Sequence, residues 1–338
     1  MVEFEAGDIT EEEAALYDRQ IRLWGLNAQH RLRSARVLLV HAGGLGAEVA
    51  KNLILAGVKS LTLMDSAEVT TADAACQFFV PTDQLGANRA EASLERAQRL
   101  NPMVAVRALT TPAAELTQEE VSRYDVVVAT GCPDAELERL NALCRRCGLL
   151  FFAGDVYGFY GFMFADLGLH EFVEEIPLPA RKPGEPEHKR QRSDVECRTV
   201  KRSLQFRPID VALSIDWTTA ERQQTLKRTS SIFFVIRVLQ AFRAEQGRRP
   251  LPGSAAADAA HLLRLRSDVA GRLGVPADKI GDEFTSLCLG ELSPACAVVG
   301  GVLAQEVIKA LSQKDKPLNN FFLFNGRNSE GVVENITA

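Results

Sequence analysis

The chain has 338 residues, 46% apolar and 7% aromatic, which is enough for a sizeable core and exceeds the ~100–200 residues of one ordinary domain, so two lobes are expected. Lys+Arg 39 against Asp+Glu 44 leaves a net charge of -5, which speaks against a nucleic-acid binder, and the 7 cysteines are odd in number and scattered, as in a reducing compartment. Met1 to Glu13 has no apolar leader-like core, and the longest apolar run, Pro294–Ala304, is too short to cross a bilayer, so the expectation is a soluble, intracellular protein.

Thr10-Glu11-Glu12-Glu13 is a capping-box pattern, and Ala14, Leu16, Tyr17, Ile21 and Trp24 follow at helical spacing until Gly25, which predicts one amphipathic N-terminal helix. On spacing alone that helix packs on its own domain and leaves Arg19 and Arg22 solvated. Arg36–Val40 reads as a buried strand, Gly43-Gly44-Leu45-Gly46 as a glycine turn, and Ala47–Ala56 as a helix closed by Gly57. A second strand, Ser60–Met64, ends in Asp65, where a ribose-binding acid is expected after such a turn. Alternation continues through a helix at Asn88–Leu100, a strand at Val104–Leu109, a helix near Glu115–Ser122, a strand at Asp125–Ala129, a helix at Asp134–Cys147 and a strand at Leu149–Ala153. Repeated β and α segments of this length predict a doubly wound, Rossmann-type α/β fold with a mostly parallel sheet. The aromatic, glycine-rich stretch Tyr157–Asp166 predicts antiparallel strands at the sheet edge.

Composition shifts at Ile176. Residues 177–200 are rich in Pro, Lys, Arg and Glu and read as a mobile charged linker between a first part, 1–176, and a third part, 201–338. The cluster of Lys189, Arg190 and Arg192 within it is either a solvated charge run or a nuclear import signal. Pattern returns with Leu204–Arg207 and Pro208–Leu213, then helices at Ser230–Glu245, Ala255–Leu273 and Glu283–Leu289. Ser293-Pro294 is expected to cap a long apolar helix to Leu311, with Gly300-Gly301 letting it approach the sheet. Asn320–Asn325 and Gly331–Ile336 predict a terminal β-hairpin.

The glycine turn is weak as a nucleotide motif. A full dinucleotide turn is G-x-G-x-x-G, and His41 stands where the first Gly belongs, adding bulk where a phosphate would approach. Cys144 and Cys147 make a single C-x-x-C with no second pair, so no zinc site is expected, nor does any cysteine stand out as a nucleophile.

Tyr17-Asp18-Arg19-Gln20-Ile21-Arg22-Leu23-Trp24-Gly25, with Val40–Gly46, Gln77-Phe78, Asn88–Glu91 and Ala297–Glu306, resembles the ubiquitin-activating enzyme family, whose members adenylate ubiquitin-like proteins. The resemblance covers nearly the whole chain. Asn52–Val58, Arg89–Gln98 and Asn319–Phe322 narrow it to the small, non-catalytic subunits of the heterodimeric, SUMO-directed branch. It implies a ThiF/MoeB-like adenylation fold. In that family the catalytic copy binds Mg·ATP, joins the C-terminal carboxylate of the ubiquitin-like protein to AMP, and passes the product to a cysteine in a separate lobe. Here the family's Asn-x-Asn-Arg-Gln-Phe reads Asp73–Phe78, so its phosphate-binding Arg is Cys76; its phosphate-binding Lys is Arg89, and the Asp near magnesium is Cys132. No segment resembles the catalytic-cysteine lobe.

The resemblance therefore implies that Gly43, Gly44, Gly46 and Asp65 are vestiges and that this chain binds no cofactor or metal, ATP and Mg sitting in the partner subunit. That partner is a larger catalytic subunit, SUMO is met through the complex, and no nucleic acid or membrane is involved. Arg19 matches an Arg that family members carry from the N-terminal helix into a partner's ATP site, where it offsets charge on the departing pyrophosphate. Arg22 and Trp24 belong to packing or the interface. The implied location is the nucleus, with the cytoplasm also allowed. Rival readings are a free-standing homodimeric adenylating enzyme for a sulfur-carrier or ubiquitin-like protein, a nicotinamide dehydrogenase suggested only by the glycine turn and Asp65, and a pure heterodimer scaffold.

Overall fold

The computed structural model describes residues 10–177 and 197–337. The N-terminal segment forms α1 (Glu11–Leu16), α2 (Asp18–Trp24) and α3 (Leu26–Ser34). Thr10 and Glu13 make the expected capping box. The single helix expected up to Gly25 is broken at Tyr17, whose backbone leaves the helical region (φ -102°, ψ 13°). The cause is tertiary: the Tyr17 ring is buried against Gly57, and its hydroxyl accepts a 2.8 Å hydrogen bond from Asn101.

The Rossmann part follows in chain order as β1 (Arg36–Val40), α4 (Gly44–Ala56), β2 (Ser60–Met64), α5 (Arg89–Leu100), β3 (Ala105–Leu109), the one-turn α6 (Gln118–Val121), β4 (Val126–Thr130), α7 (Asp134–Cys147), β5 (Leu150–Tyr157) and β6 (Tyr160–Asp166). The helix expected near Glu115–Ser122 shrinks to α6 and a preceding turn of 3-10 helix at Ala113–Glu115. Then come β7 (Leu169–Pro177), β8 (Cys197–Gln205), α8 (Ile209–Leu213), α9 (Ala220–Leu226), α10 (Ser231–Gln246), α11 (Ala255–Leu273), α12 (Phe284–Leu287), α13 (Ser293–Ser312), β9 (Phe321–Asn325) and β10 (Glu330–Glu334). β7 and β8 pair as an antiparallel ribbon that sequence pattern did not reveal, because the side of β7 that is buried carries His170 and Phe172 while the apolar Leu169 and Ile176 are exposed, so apolar and polar residues do not alternate. The basic cluster around Arg190 lies outside the described residues.

An 8-stranded sheet in the order β10-β9-β6-β5-β4-β1-β2-β3 organises the molecule. β5, β4, β1, β2 and β3 run parallel, while β6, β9 and β10 extend the sheet antiparallel. The terminal strands thus form the expected hairpin and complete the first part's sheet. One core layer lies between the sheet and α4 and α13; the other packs α7 and the aromatic run Phe233, Phe234 and Phe242 of α10 against the opposite face.

The apolar helix α13 starts at Ser293 with Leu292 at the cap and no side-chain cap, so Ser293 does not play the expected capping part; Pro294 does sit in the first turn. Its 20 residues exceed the apolar run read from sequence and are long and apolar enough to cross a membrane by length and composition, yet its buried face packs on α4 and the sheet. Gly300 allows close approach to α4, since a Cβ there would lie 2.7 Å from Glu48 Cβ; Gly301 faces open space. The close contact is therefore with a helix, where sequence reading placed it against the sheet.

Candidate functional site

Strand order reverses between β1, whose helix leads to β2, and β4, which pairs on its other side. The crevice at the carboxyl ends of these two strands is where doubly wound folds place ligands. His41 follows β1, the glycine turn opens α4, and Cys132 follows β4, so the sequence-selected residues converge here.

The turn needs its glycines because of the chain's own atoms. A Cβ on Gly46 would lie 2.4 Å from the His41 carbonyl oxygen, and one on Gly44 would lie 2.7 Å from Cys76 Sγ. His41 has φ 62°, the left-handed region that explains why glycine suits this position. Its ring turns toward protein groups, with Nε2 3.3 Å from Glu136 Oε2 and Nδ1 3.8 Å from Asp65 Oδ1. Burial alone would lower its pKa; the Asp65 carboxylate, then Cys132 and Glu136, outweigh that and push it up to about 12.

Asp65 directly follows β2, as expected of a ribose-binding acid, but it is only 1% exposed and its oxygens are engaged. It accepts hydrogen bonds from the Ala42 amide (2.7 Å), the Ala67 amide (2.9 Å) and Arg89 Nε (2.8 Å). Burial raises its pKa, and the contact with His41 together with Arg89 overcomes this and holds the carboxyl well below the usual range. Arg89, the counterpart of a phosphate-binding Lys, spans Asp65 and Asp73, with NH1 3.0 Å from Asp73 Oδ1. It faces inward between two carboxylates.

A further anion sits at the α4 N-terminus, where backbone amides and the helix dipole favour negative charge. It is the carboxylate of Glu291, which accepts from the Gly44 amide at 3.4 Å and the Leu45 amide at 3.3 Å. Arg249 NH1 lies 3.3 Å from the same carboxylate while its NH2 donates to Asp155 Oδ1 at 2.6 Å. Arg243 completes the cluster, with NH1 donating to Asp155 Oδ2 at 2.8 Å. Cys76 Sγ is 3.8 Å from Glu291 Oε2; burial, followed by the Glu291 charge, pushes its thiol up to about 12, so it remains protonated at neutral pH.

Arg19 has a different setting. It lies on α2, exposed, and among the described residues makes no hydrogen bond or ion pair. Its neighbours fix the helix: Gln20 Nε2 donates to the Leu55 carbonyl at 3.1 Å, and Arg22 pairs with Asp18 at 3.0 Å. Leu16 and Leu23 are exposed, at 55% and 67%, while Trp24 is partly buried against the α4–α13 layer.

A family model described as the ThiF family matches residues 17–338. This chain belongs to the ThiF family. Within it, the chain is 51% identical over 339 residues to SUMO-activating enzyme subunit 1 of Xenopus laevis, covering 99% of this chain and 98% of that one. It is 48% identical over 342 residues to SUMO-activating enzyme subunit 1 of Homo sapiens, covering 99% of each. Together these place it in the SUMO-activating enzyme subunit 1 group. The fold is also that of PaaA (TM-score 0.59, 15% identity, 99% of this chain and 77% of that chain) and of E. coli MccB with succinimide (TM-score 0.54, 13% identity, 95% and 72%).

As a ThiF-family pocket, this one contains five groups that sequence reasoning missed: Glu291, Arg249, Asp155, Arg243 and Glu136. None lies in a recognisable motif; Arg249 and Glu291 precede their neighbouring helices, and only the sheet topology brings them to the turn. The expected thiols of the single C-x-x-C are present, Cys144 buried and Cys147 half-buried.

Proposed function

We propose that this chain is the non-catalytic subunit of a heterodimeric SUMO-activating enzyme, supporting ATP-dependent adenylation and thioester formation by a larger catalytic subunit, to whose ATP site it supplies Arg19 in trans. The observation that carries this reading is the contrast in charge satisfaction between the two phosphate-handling features. Where a nucleotide would lie in this chain, Asp65 is already hydrogen-bonded and the α4 N-terminus already meets Glu291. An incoming ribose or phosphate would have to displace both groups from buried partners, each an unfavourable exchange. ATP and Mg therefore belong to the partner, and Gly43, Gly44, Gly46 and Asp65 serve the fold.

Arg19 suits the remaining role because a guanidinium stays charged and its planar fork fits a phosphate. Placed beside a departing pyrophosphate, it offsets charge that develops in the transition state and is absent from the free nucleotide, which is what lowers a barrier. SUMO is met through the complex, in the nucleus.

Reconstitution tests the division of labour. Mixed with the catalytic subunit and SUMO, this chain supports ATP–pyrophosphate exchange, and alone it neither exchanges nor retains ATP. Exchange by the isolated chain would overturn the reading in favour of a free-standing homodimeric adenylating enzyme.

A further inference from the structure

We propose that His41, Cys132 and Glu136 form a binding site for a single divalent d-block cation of the zinc type. The three come from different places, His41 from the turn after β1, Cys132 from the turn after β4 and Glu136 from the first turn of α7. One ligand atom from each lies within 4.8 Å of the others. His41 Nε2 and Glu136 Oε2 are 3.3 Å apart. Tetrahedral zinc with bonds of roughly 2.0–2.2 Å to nitrogen and oxygen spans an N···O edge of about 3.3–3.6 Å, so these two ligands are already at coordination spacing.

The donor set points to the class of metal. A thiolate with an imidazole favours zinc and its neighbours over magnesium or calcium, which take oxygen ligands. On binding, the His41 imidazolium and the Cys132 thiol each release a proton to solvent, and thiolate and carboxylate together then neutralise a 2+ ion, so the bound site carries no net charge into the half-buried crevice. Behind His41, Asp65 Oδ1 stands 3.8 Å from Nδ1, and that carboxylate is itself fixed by two backbone amides and Arg89. A carboxylate on the far ring nitrogen is the usual support of a metal-binding histidine, setting its tautomer and ring orientation.

Three protein ligands leave one tetrahedral position. It opens toward solvent on the side where the His41 and Glu136 side chains are 29% and 19% exposed, while Cys132 is buried at 3%. The fourth ligand is therefore water or a donor brought by a bound molecule. A metal here would clip the turn after β1 to the turn after β4 across the strand reversal, holding the floor of the crevice closed.

Cobalt(II) is the probe, because tetrahedral thiolate coordination gives it visible d–d bands and a near-ultraviolet thiolate charge-transfer band. Titrated into the purified full chain, cobalt should bind at one equivalent with both features, and one equivalent of zinc should displace it. Cys132→Ser should remove the charge-transfer band and Cys144→Ser should leave it intact. Glu136→Gln, on a half-exposed helical turn where folding is not at stake, should weaken binding ~10-fold or more. A wild-type chain that gives no tetrahedral spectrum, or a charge-transfer band undiminished in Cys132→Ser, would overturn the site and leave His41 and Glu136 as an ion pair beside a buried thiol.

Discussion

Around the glycine turn, Asp65, Arg89, Asp73, Glu291 and Arg249 meet one another inside the chain, whereas Arg19 on α2 stands exposed with no partner among the described residues. Both regions carry residues that would suit phosphate chemistry. Residue type alone does not separate them; what does is whether the charge has been neutralised at home. A buried ion pair contributes little net stability but is costly to break, so a pocket wired in this way resists conversion to a ligand site. An exposed guanidinium loses little by meeting a new anion.

The contrast can be broken first at Asp65. If the pocket serves the fold, Asp65→Ala leaves Arg89 only Asp73 and His41 only Glu136 and deprives the Ala42 and Ala67 amides of their acceptor, and it should cost about 3–5 kcal/mol in urea or thermal unfolding. A loss below about 0.5 kcal/mol would mean that Asp65 is kept for something other than structure. Glu291→Ala comes next. It leaves two α4 amides unmet and removes one anion from Arg249, a loss of about 1–3 kcal/mol. The emptied helix terminus should then take sulfate or pyrophosphate, raising the melting temperature of the variant more than that of the wild type; equal shifts would show that Glu291 does not occupy an anion site.

The smallest effect concerns the β7–β8 ribbon, which contributes no residue to the glycine-turn cluster. His170 is 5% exposed, its Nε2 has no hydrogen-bond partner among the described residues, and burial lowers its pKa from the ordinary 6.5. In the folded chain it therefore stays neutral while the unfolded chain takes up a proton, so stability falls as pH drops below about 6.5, by at most about 1.4 kcal/mol per pH unit. His170→Phe should flatten that part of the stability profile, as measured by urea melts between neutral and mildly acidic pH. An unchanged slope would assign the acid sensitivity elsewhere.

Much of this was legible in the chain itself, for identifiable reasons. The apolar run of β1, the glycine turn and the strand ending at Asp65 follow one another locally, so the βαβ unit and the position of Asp65 could be read directly. The changes to His41, Cys76 and Cys132 were visible as losses from a nucleotide motif. The groups that meet the turn were not visible, because Glu291 lies 247 residues from Gly44, and its partner Arg249 lies 94 from Asp155. Likewise His41 and Glu136 are 95 positions apart, and no spacing rule joins them. The break at Tyr17 escaped for the same reason, since its partners Gly57 and Asn101 are distant in sequence.

We propose that the useful phosphate chemistry of this chain rests on Arg19 and is exerted in another subunit. ATP–pyrophosphate exchange by the reconstituted heterodimer, with Arg19→Ala in this chain and assembly checked by gel filtration, tests it most directly. Exchange should fall about 10²-fold or more with the heterodimer intact. Full exchange by an assembled Arg19→Ala heterodimer would contradict it.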